Sequence, residues 1–409
     1  MTFKNVVKLG DFVTIKHGYA FPGKFITSQE TKKILVTPGN FNIGGGFKSS
    51  KFKYYSGETY PEQYRFNGGE LIVTMTDLSK ETDTLGYAAL VPNDNNIYLH
   101  NQRVGLVQIL NNDLDKMYLY WKMRTREYQE FIANSASGTS VMHTSPKKIC
   151  EYEFLLPTKL EQKAIASVLS SLDDKIDLLH RQNKTLESMA ETLFRQYFIE
   201  EAQEDWEDCN ITDLFEVRDG THASPKQSVS GYPLVTSKHI GSGIIDFNNT
   251  YLISEEDYSS INKRSKVEKF DILFSMIGTI GSTHIELSDK INYAIKNVGL
   301  LKTSQNHDWK FYTYLWLLSS EGKDFIHATK SGSTQEYISL GSLRSIVFNK
   351  PDNNTLRKFN NIAEIHFNKI YKNNKQIITL EKLRDTLLPK LMIGEVRVQY
   401  AEEAITSVA

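Results

Sequence analysis

The chain contains two short patterns whose residue types could hold a metal ion for phosphodiester cleavage, Glu30-Thr31-Lys32 and Glu321-Gly322-Lys323. A metal-dependent nuclease needs acidic residues and a lysine that converge on Mg²⁺. Three-residue patterns of this kind arise by chance, and no Pro-Asp pair precedes either of them. The 10 histidines are scattered, without a metal-binding spacing such as His-Glu-x-x-His. The sequence therefore gives only weak support to metal-dependent catalysis.

Other catalytic motifs are also missing. An adenine methyltransferase needs an Asn/Asp-Pro-Pro-aromatic tetrapeptide to hold the flipped base, and the chain contains no Pro-Pro pair. Gly44-Gly45-Gly46 lacks the Lys-Ser/Thr pair that opens a helix in a phosphate-binding loop, so it indicates a turn. Cys150 and Cys209 form neither a disulfide framework nor a zinc set. We therefore expect a chain without catalytic activity.

Two long helical patterns dominate the elements that must position any functional side chain. Residues 160–198 contain no proline or glycine, and their apolar residues recur at steps of three and four, as in a coiled-coil seam. At about 1.5 Å per residue this helix would be on the order of 50 Å long, and its open apolar stripe needs a partner. Residues 356–391 supply one. We expect antiparallel pairing in which Asn183 faces Asn373 and fixes the register; the alternative is that these side chains point to water.

The chain is one unit written twice, a globular part followed by a long helix. At an offset of 194 residues, 104–106 matches 298–300 and 185–187 matches 379–381. Strand and helix patterns mix without strict βαβ alternation. The predicted fold class is therefore α/β (α+β): two similar globular domains separated by two long antiparallel helices that form a coiled coil, with an internal pseudo-two-fold repeat.

The repeat predicts five segments. They are a first globular domain at 1–157, a central long helix at 158–200, a second globular domain at 207–352, a C-terminal long helix at 355–396 and a tail at 397–409. Within the globular domains, 41–55 is predicted to form a glycine-punctuated hairpin. The segments 118–133 and 312–328 are each predicted to form one amphipathic helix.

Composition indicates a soluble, cytoplasmic protein. The chain has 409 residues, 40% of them hydrophobic, and no apolar run near the length of a membrane span or a signal-peptide core. Its net charge of −1 hides a partition, because residues 151–210 carry 6 basic and 14 acidic side chains, while residues 356–409 carry 9 and 6. We infer an acidic first helix that prefers the basic second helix to a copy of itself.

Four stretches carry a family resemblance. They are EQKAIASVLSSLDDKI at 161–176, LRDTLLPKLMIGEVRV at 383–398, and the turns KHGYAF at 16–21 and VRDGTHASPK at 217–226. Together with the repeat, they resemble the specificity subunit of a type I restriction-modification system. The resemblance covers essentially the whole chain. One departure is visible: the second helix lacks the Glu161-Gln162 pair of the first, so we expect the contacts of that pair on one side only.

The resemblance implies a non-catalytic reader of double-stranded DNA. Each globular domain would recognise one half of a split, asymmetric site, and the chain would tether two modification (methyltransferase) subunits and two restriction subunits, with no membrane partner. This chain would bind no cofactor; S-adenosylmethionine, Mg and ATP are expected only on the partner subunits. The alternative is a stand-alone DNA-binding scaffold or a self-acting DNA methyltransferase or nuclease.

Polar and basic side chains on predicted turns are the candidate DNA contacts. Phosphates need Lys or Arg, and base edges need Arg, Lys, Asn, Gln, Ser or Thr. Each candidate could equally be an ordinary solvated side chain, and only the clusters favour binding. The candidates are Lys48, Lys51, Lys53 and Arg65 in the first domain, and His222, Lys226, Lys238, His239, Arg264, Lys266 and Gln335 in the second. Because the net charge is near zero, we expect the isolated chain to bind DNA weakly.

Overall fold

The computed structural model describes residues 6–77, 82–241, 243–333 and 335–399. The chain divides into two compact units: unit 1 comprises 1–178 with 376–409, and unit 2 comprises 179–375. Within the described ranges, no helix is both long and apolar enough to span a bilayer. Of the predicted tail at 397–409, residues 400–409 lie outside the described residues.

The described part of unit 1 is built on two four-stranded sheets, with two further pairs of strands. Its strands are β1 Val6–Lys8, β2 Val13–His17, β3 Ile26–Thr27, β4 Lys33–Val36, β5 Lys53–Tyr55, β6 Leu71–Thr74, β7 Thr76–Asp77, β8 Ala88–Leu90, β9 Ile97–His100, β10 Val104–Ile109, β11 Met142–His143 and β12 Glu153–Leu155. One sheet has the order β2-β10-β6-β8, and the other has the order β3-β5-β4-β9, in which β4 and β9 are parallel. The interior strand β6 is buried on both faces, which suits its sequence Leu-Ile-Val-Thr.

The described part of unit 1 also contains three short α-helices and the first part of a long one. They are α1 Lys116–Lys122, α2 Arg126–Asn134, α3 Pro146–Cys150 and the long α4 Lys159–Arg195, of which 159–178 belong to unit 1. Gln162 on α4 is fully buried, where its Oε1 accepts from the Asp115 N–H at 2.7 Å and its Nε2 donates to the Asp113 carbonyl at 2.9 Å. This glutamine therefore ties the start of α4 to the start of α1.

Unit 2 repeats the design. Its strands are β13 Asp208–Asn210, β14 Val217–Asp219, β15 Tyr232–Thr236, β16 Tyr251–Ile253, β17 Ile272–Ser275, β18 Thr283–Ile285, β19 Ala294–Lys296, β20 Val298–Leu301 and β21 Val347–Asn349. Its helices are α5 Ile211–Leu214, α6 Glu255–Ser265, α7 Lys310–Leu318, α8 Ser320–Thr329, α9 Leu340–Arg344 and α10 Asn353–Met392, of which 353–375 belong to unit 2.

The internal repeat is confirmed strand by strand. The order β14-β20-β17-β18 matches β2-β10-β6-β8, and the parallel pair β15 and β19 matches β4 and β9. The pair β13-β21 matches β1-β12. The predicted mixture of helix and sheet is therefore correct. Helix α6 has no counterpart among the described residues of unit 1. It was not predicted, although Ser254 followed by Glu-Glu-Asp is a helix N-cap signature.

Three sequence predictions need correction. The predicted single helices at 118–133 and 312–328 are each two helices, because Thr125 and Ser319 cap a new first turn and restart the helix. The predicted hairpin at 41–55 does not form. Phe41 instead bridges Phe47 around the three glycines, and β5 pairs with β3 and β4.

The matching position to Gln162 in unit 2 is Leu356, which is buried without polar atoms in its side chain. One turn further, the Asn360 Nδ2 donates to the Asp308 carbonyl at 2.6 Å. The second long helix lacks the glutamine, but this asparagine partly replaces it, because its side-chain amide holds the loop before α7.

The acidic excess does not lie on the first long helix. Within α4, 6 basic side chains balance 6 acidic ones, and most of the surplus lies in the segment 200–208 that follows it. The expectation of an acidic first helix is therefore wrong, while its preference for the second helix over a copy of itself stays a prediction. Apolar burial stabilises the helix pairing. Seam residues such as Leu172, Ile176, Phe359 and Ala363 are nearly inaccessible to solvent.

In unit 2 the two long helices run antiparallel. The rings of Phe198 and Phe359 lie 4.9 Å apart, and further along the Asn373 Nδ2 donates to the Asn183 Oδ1 at 2.8 Å. The Asn183 Nδ2 in turn donates to the Asn374 Oδ1 at 2.7 Å. The expected contact between Asn183 and Asn373 is therefore present, and both side chains are buried. That this pair determines register stays a prediction.

Replacing Asn373 alone with leucine is expected to lower the free energy of unfolding by about 1–3 kcal/mol, because it leaves the Asn183 amide without its buried donor. Replacing both Asn183 and Asn373 with leucine should instead raise the melting temperature above that of the unmodified protein. Urea unfolding of the four proteins of this double-mutant cycle, followed by circular dichroism, measures the coupling. The exposed Asn368→Leu on the same helix is the control, and purely additive effects would contradict an interaction.

Candidate nucleic-acid interface

In unit 2 the turn that follows β14 is bonded to the junction between β19 and β20. A side chain at Gly220 would collide with the carbonyl of Ile295, so this close approach requires glycine. Beyond it, the Thr221 N–H donates to the Ile295 carbonyl at 3.0 Å, and the Asn297 N–H donates to the Thr221 carbonyl at 3.1 Å. The turn within VRDGTHASPK is therefore held rigidly against Lys296 and Asn297.

A polar cluster surrounds this turn. His222 lies between two oxygens, with its Nδ1 2.8 Å from the Asn297 Oδ1 and its Nε2 2.8 Å from the Asp219 Oδ2. The other oxygen of the buried Asp219 carboxylate accepts from Arg264 on α6. His222 and Arg264 both remain mostly exposed, whereas the Asp219 side chain is only 5% exposed. Asp219 therefore orients two cationic or polar side chains towards solvent.

The cluster extends to a second turn. The Lys296 Nζ donates to the Ser224 Oγ at 2.6 Å, and Asn297 has a φ of 52°, a left-handed conformation that asparagine tolerates. The Ser237 Oγ donates to the Asn297 carbonyl at 3.0 Å, which places the exposed Lys238 next to the cluster. Two of the predicted DNA contacts, His222 and Arg264, thus meet at Asp219, and a third, Lys238, is the residue after Ser237.

Unit 1 has the equivalent turn after β2. Gly18 makes the same close approach, here to the carbonyl of Asn101, and the Tyr19 N–H donates to the His100 carbonyl at 2.8 Å. The neighbouring Lys16 Nζ lies 5.0 Å from the centre of the Tyr64 ring. Arg103 is exposed on the β9–β10 connection. KHGYAF and VRDGTHASPK are therefore structurally equivalent turns.

His239 does not contact solvent, which overturns its prediction as a DNA contact. The side chain is 2% exposed, and its Nδ1 accepts from the Thr236 N–H at 3.0 Å to close a capping box. Burial, together with the nearby Lys238 charge, lowers the pKa of His239. Under the unit 1 turn, burial lowers the pKa of His100 to about 4. Both histidines are therefore neutral near pH 7 and add no positive charge.

The remaining candidates lie apart from these turns. Lys48 and Lys51 are exposed on the connection before β5, Lys53 is exposed within β5, and Arg65 bridges Leu99 at the other side of the same sheet. In unit 2, Lys226 is exposed beyond the cluster, and the Lys266 Nζ lies 3.7 Å from the Glu268 Oε1. Gln335 is exposed in the loop closed by the bridge between Ser331 and Tyr337.

The predicted DNA contacts did not include Lys16, Arg103, Lys296 and Asn297. A signal was available, because Arg103 and Asn297 immediately precede the repeated Val-Gly-Leu of the two units. Lysine, arginine and asparagine at such turns can donate to phosphates and base edges. Among the described residues, no group of three or more His, Cys, Asp and Glu side chains is arranged to hold a metal ion.

Comparison with known proteins shows relatives that match both repeats. The family model described as "Type I restriction modification DNA specificity domain" matches residues 2–188 and again residues 203–383. The specificity subunit of type I restriction enzyme MjaIX from Methanocaldococcus jannaschii is 27% identical over 77% of this chain and 76% of its own length. The specificity subunit of type I restriction enzyme EcoBI from Escherichia coli is 23% identical over 97% and 87%.

A solved structure has the same fold. The crystal structure of the type I restriction-modification S subunit from M. genitalium superposes with a TM-score of 0.59 and 19% identity, covering 95% of this chain and 96% of that one. The two family matches span most of the chain and coincide with the two repeats seen in the structure. The chain therefore belongs to the type I restriction-modification DNA specificity family, as a specificity subunit that recognises DNA sequence.

Proposed function

We propose that this chain recognises a split, asymmetric site on double-stranded DNA, with one globular part for each half-site, and that it tethers two modification and two restriction subunits. The observation that carries the proposal is the repeated turn, held by Gly18 in one unit and Gly220 in the other. An internal structural repeat with different side chains on the equivalent turns suits a protein that contacts two different DNA sequences.

The side chains on the two turns support unequal half-sites. In unit 2 the candidate contacts are His222 on the turn with Lys296 and Asn297 at the β19–β20 junction. In unit 1 they are Tyr19 on the turn, Lys16 on β2 and Arg103 on the β9–β10 connection. Because base recognition depends on which donors and acceptors meet each base edge, these two sets favour different bases. We assign the phosphate contacts to the lysines, whose compact charge carries little sequence information.

The proposal assigns no chemistry to this chain. S-adenosylmethionine, Mg and ATP would bind the partner subunits, and the chain would select where methyl transfer and cleavage occur. The alternatives are a stand-alone DNA-binding scaffold and a self-acting methyltransferase or nuclease. No observation on the two turns favours either alternative.

The test is methyl transfer to duplex DNA in the presence of labelled S-adenosylmethionine, with and without modification subunits from the same host. We expect incorporation only when both proteins are present. Methylation or cleavage by the isolated chain would support the self-acting alternative, and DNA binding without any recruitment of modification subunits would support the scaffold.

Within the assembled complex, Lys296→Ala is expected to weaken binding about 10-fold at low salt and to reduce the slope of log affinity against log salt by about one. The loss should be similar for specific and unrelated duplexes. Lys350→Ala, an exposed lysine after β21, is the matched control. An unchanged salt slope in Lys296→Ala would remove this lysine from the interface.

A further inference from the structure

In unit 1 the globular part is joined to the long helices through a buried arginine. The Arg124 side chain, which follows α1, is 6% exposed. Its Nη1 donates to the Asp173 Oδ2 on α4 at 2.6 Å and to the Tyr120 hydroxyl at 2.6 Å. Its guanidinium lies 4.3 Å from the centre of a Trp121 ring, and the Trp121 Nε1 donates to the Ser170 Oγ of α4 at 3.0 Å. The contact is charge-assisted, between a buried guanidinium and a carboxylate that is 23% exposed.

The same carboxylate reaches the second long helix. The Asp173 Oδ1 accepts from the Arg384 Nη1 on α10 at 2.7 Å. Arg384 is 18% exposed and its Nη2 lies 2.8 Å from the Asp385 Oδ1. Burial lowers the pKa of Arg384, but Asp385 and Asp173 raise it by more, so the guanidinium stays charged. Asp173 is thus shared by two arginines from different elements.

At its other end the network holds a loop of the globular part. The Arg124 Nε donates to the Gly44 carbonyl at 2.9 Å. A side chain at Gly45 would collide with the aliphatic part of Arg124, and this glycine has a φ of 87°. The loop leads directly to Lys48, whose N–H donates to the Asn40 carbonyl at 2.8 Å. The exposed basic segment 48–53 therefore begins at a loop that is fixed to both helices.

Unit 2 uses different chemistry at these positions. At the offset of 194 residues, Leu318 replaces Arg124 and Phe367 replaces Asp173. Phe367 there stacks on Phe311 with ring centres 4.7 Å apart. Apolar contacts of this kind are non-directional, whereas guanidinium–carboxylate pairs have a defined geometry. The guanidinium–carboxylate connection is therefore found in unit 1, whereas unit 2 has an ion pair between Lys310 on α7 and Glu364 on α10, whose Nζ and Oε2 lie 2.8 Å apart.

We propose that Arg124, Asp173 and Arg384 are positioning residues that transmit the register of the paired helices to the basic segment 48–53, and so restrict the spacing between half-sites that the protein accepts. The inference rests on the proposed function. It concerns how far apart the half-sites lie, and leaves the identity of the bases to the turns described above.

The test uses the full-length chain assembled with its modification subunits. The substrates are the duplex that the unmodified complex methylates, duplexes with one base pair inserted or removed between the half-sites, and duplexes with one base changed inside a half-site. Arg384→Gln is expected to reduce the preference for the correct spacing by at least about 5-fold. Its preference for the correct bases within each half-site should be unchanged. Arg384→Lys keeps the positive charge but loses the planar guanidinium with its fixed N–H donors. It should show a smaller loss of the spacing preference.

The matched control is Glu127→Gln, which removes an ion pair to the buried Lys122 at 2.9 Å inside the globular part. It should leave the spacing preference intact even if it lowers the melting temperature. An unchanged spacing preference in Arg384→Gln and Arg384→Lys, with only the melting temperature reduced, would overturn the positioning role. If the unmodified complex itself methylated DNA without requiring two half-sites, the proposed function would fail instead.

Discussion

Exchanging residues 1–157 for the equivalent part of a related specificity subunit is expected to change one half of the methylated sequence and leave the other half intact. The physical reason is that unit 1 and unit 2 each carry a complete pair of sheets and their own turn. Each base pair that no longer fits costs about 1–3 kcal/mol, roughly additively. Methylation of the original site should therefore fall by about 10³-fold or more when several bases change.

Sequencing of methylated bases in DNA modified by the assembled complex checks this result. The donor segment must retain partners for Asp173 and Gln162, since Arg124 and Asp115 hold the globular part to α4. The reciprocal exchange of residues 207–352 is the matched control, and it should alter the opposite half. A change in both halves after either exchange would contradict independent recognition by the two globular parts.

Replacing Lys302 with methionine is expected to lower the free energy of unfolding by about 3–5 kcal/mol, because it leaves a buried carboxylate without its counter-charge. The Lys302 Nζ donates to the Asp271 Oδ2 at 2.6 Å, and the Asp271 side chain is fully buried. The same ammonium donates to the Glu268 Oε2 at 2.8 Å. The exposed Glu268 can turn to water, whereas Asp271 cannot.

Urea unfolding measures this loss, and two variants interpret it. Lys269→Met breaks an ion pair with Asp289 at the surface and should cost less than about 1 kcal/mol. Combining Lys302→Met with Asp271→Asn should recover much of the stability, because no uncompensated charge then remains. Equal losses in Lys302→Met and Lys269→Met would show that the buried pair adds nothing beyond a surface pair.

The long helices and the repeat could be predicted because their signals are local and periodic. Leu172, Ile176, Leu380 and Leu391 recur at coiled-coil spacing, and all are buried in the structure. The matching Val-Gly-Leu triplets also lie on equivalent strands, β10 and β20. The same repeats led to the family, which the comparisons confirm.

The candidate interface was predicted less well. His239 and Lys238 are neighbours in the sequence, yet Lys238 is exposed and His239 is buried as a turn cap. In a short turn, adjacent residues can differ completely in exposure. The sequence has no periodic pattern there to indicate which side chain is buried. Lys296 and Asn297 were missed because only the folded chain brings them to the Thr221 turn, which lies far away in the sequence.

What the sequence by itself determined is the class of protein: a repeated α/β chain with two paired helices, without recognisable catalytic motifs, and of the specificity family. Only the tertiary structure decided which charges meet. Arg124 and Asp173 are 49 residues apart, and Asp173 and Arg384 are 211 apart. Apolar periodicity is encoded within a few turns of one helix, whereas a shared carboxylate requires three separate elements to fold against one another first.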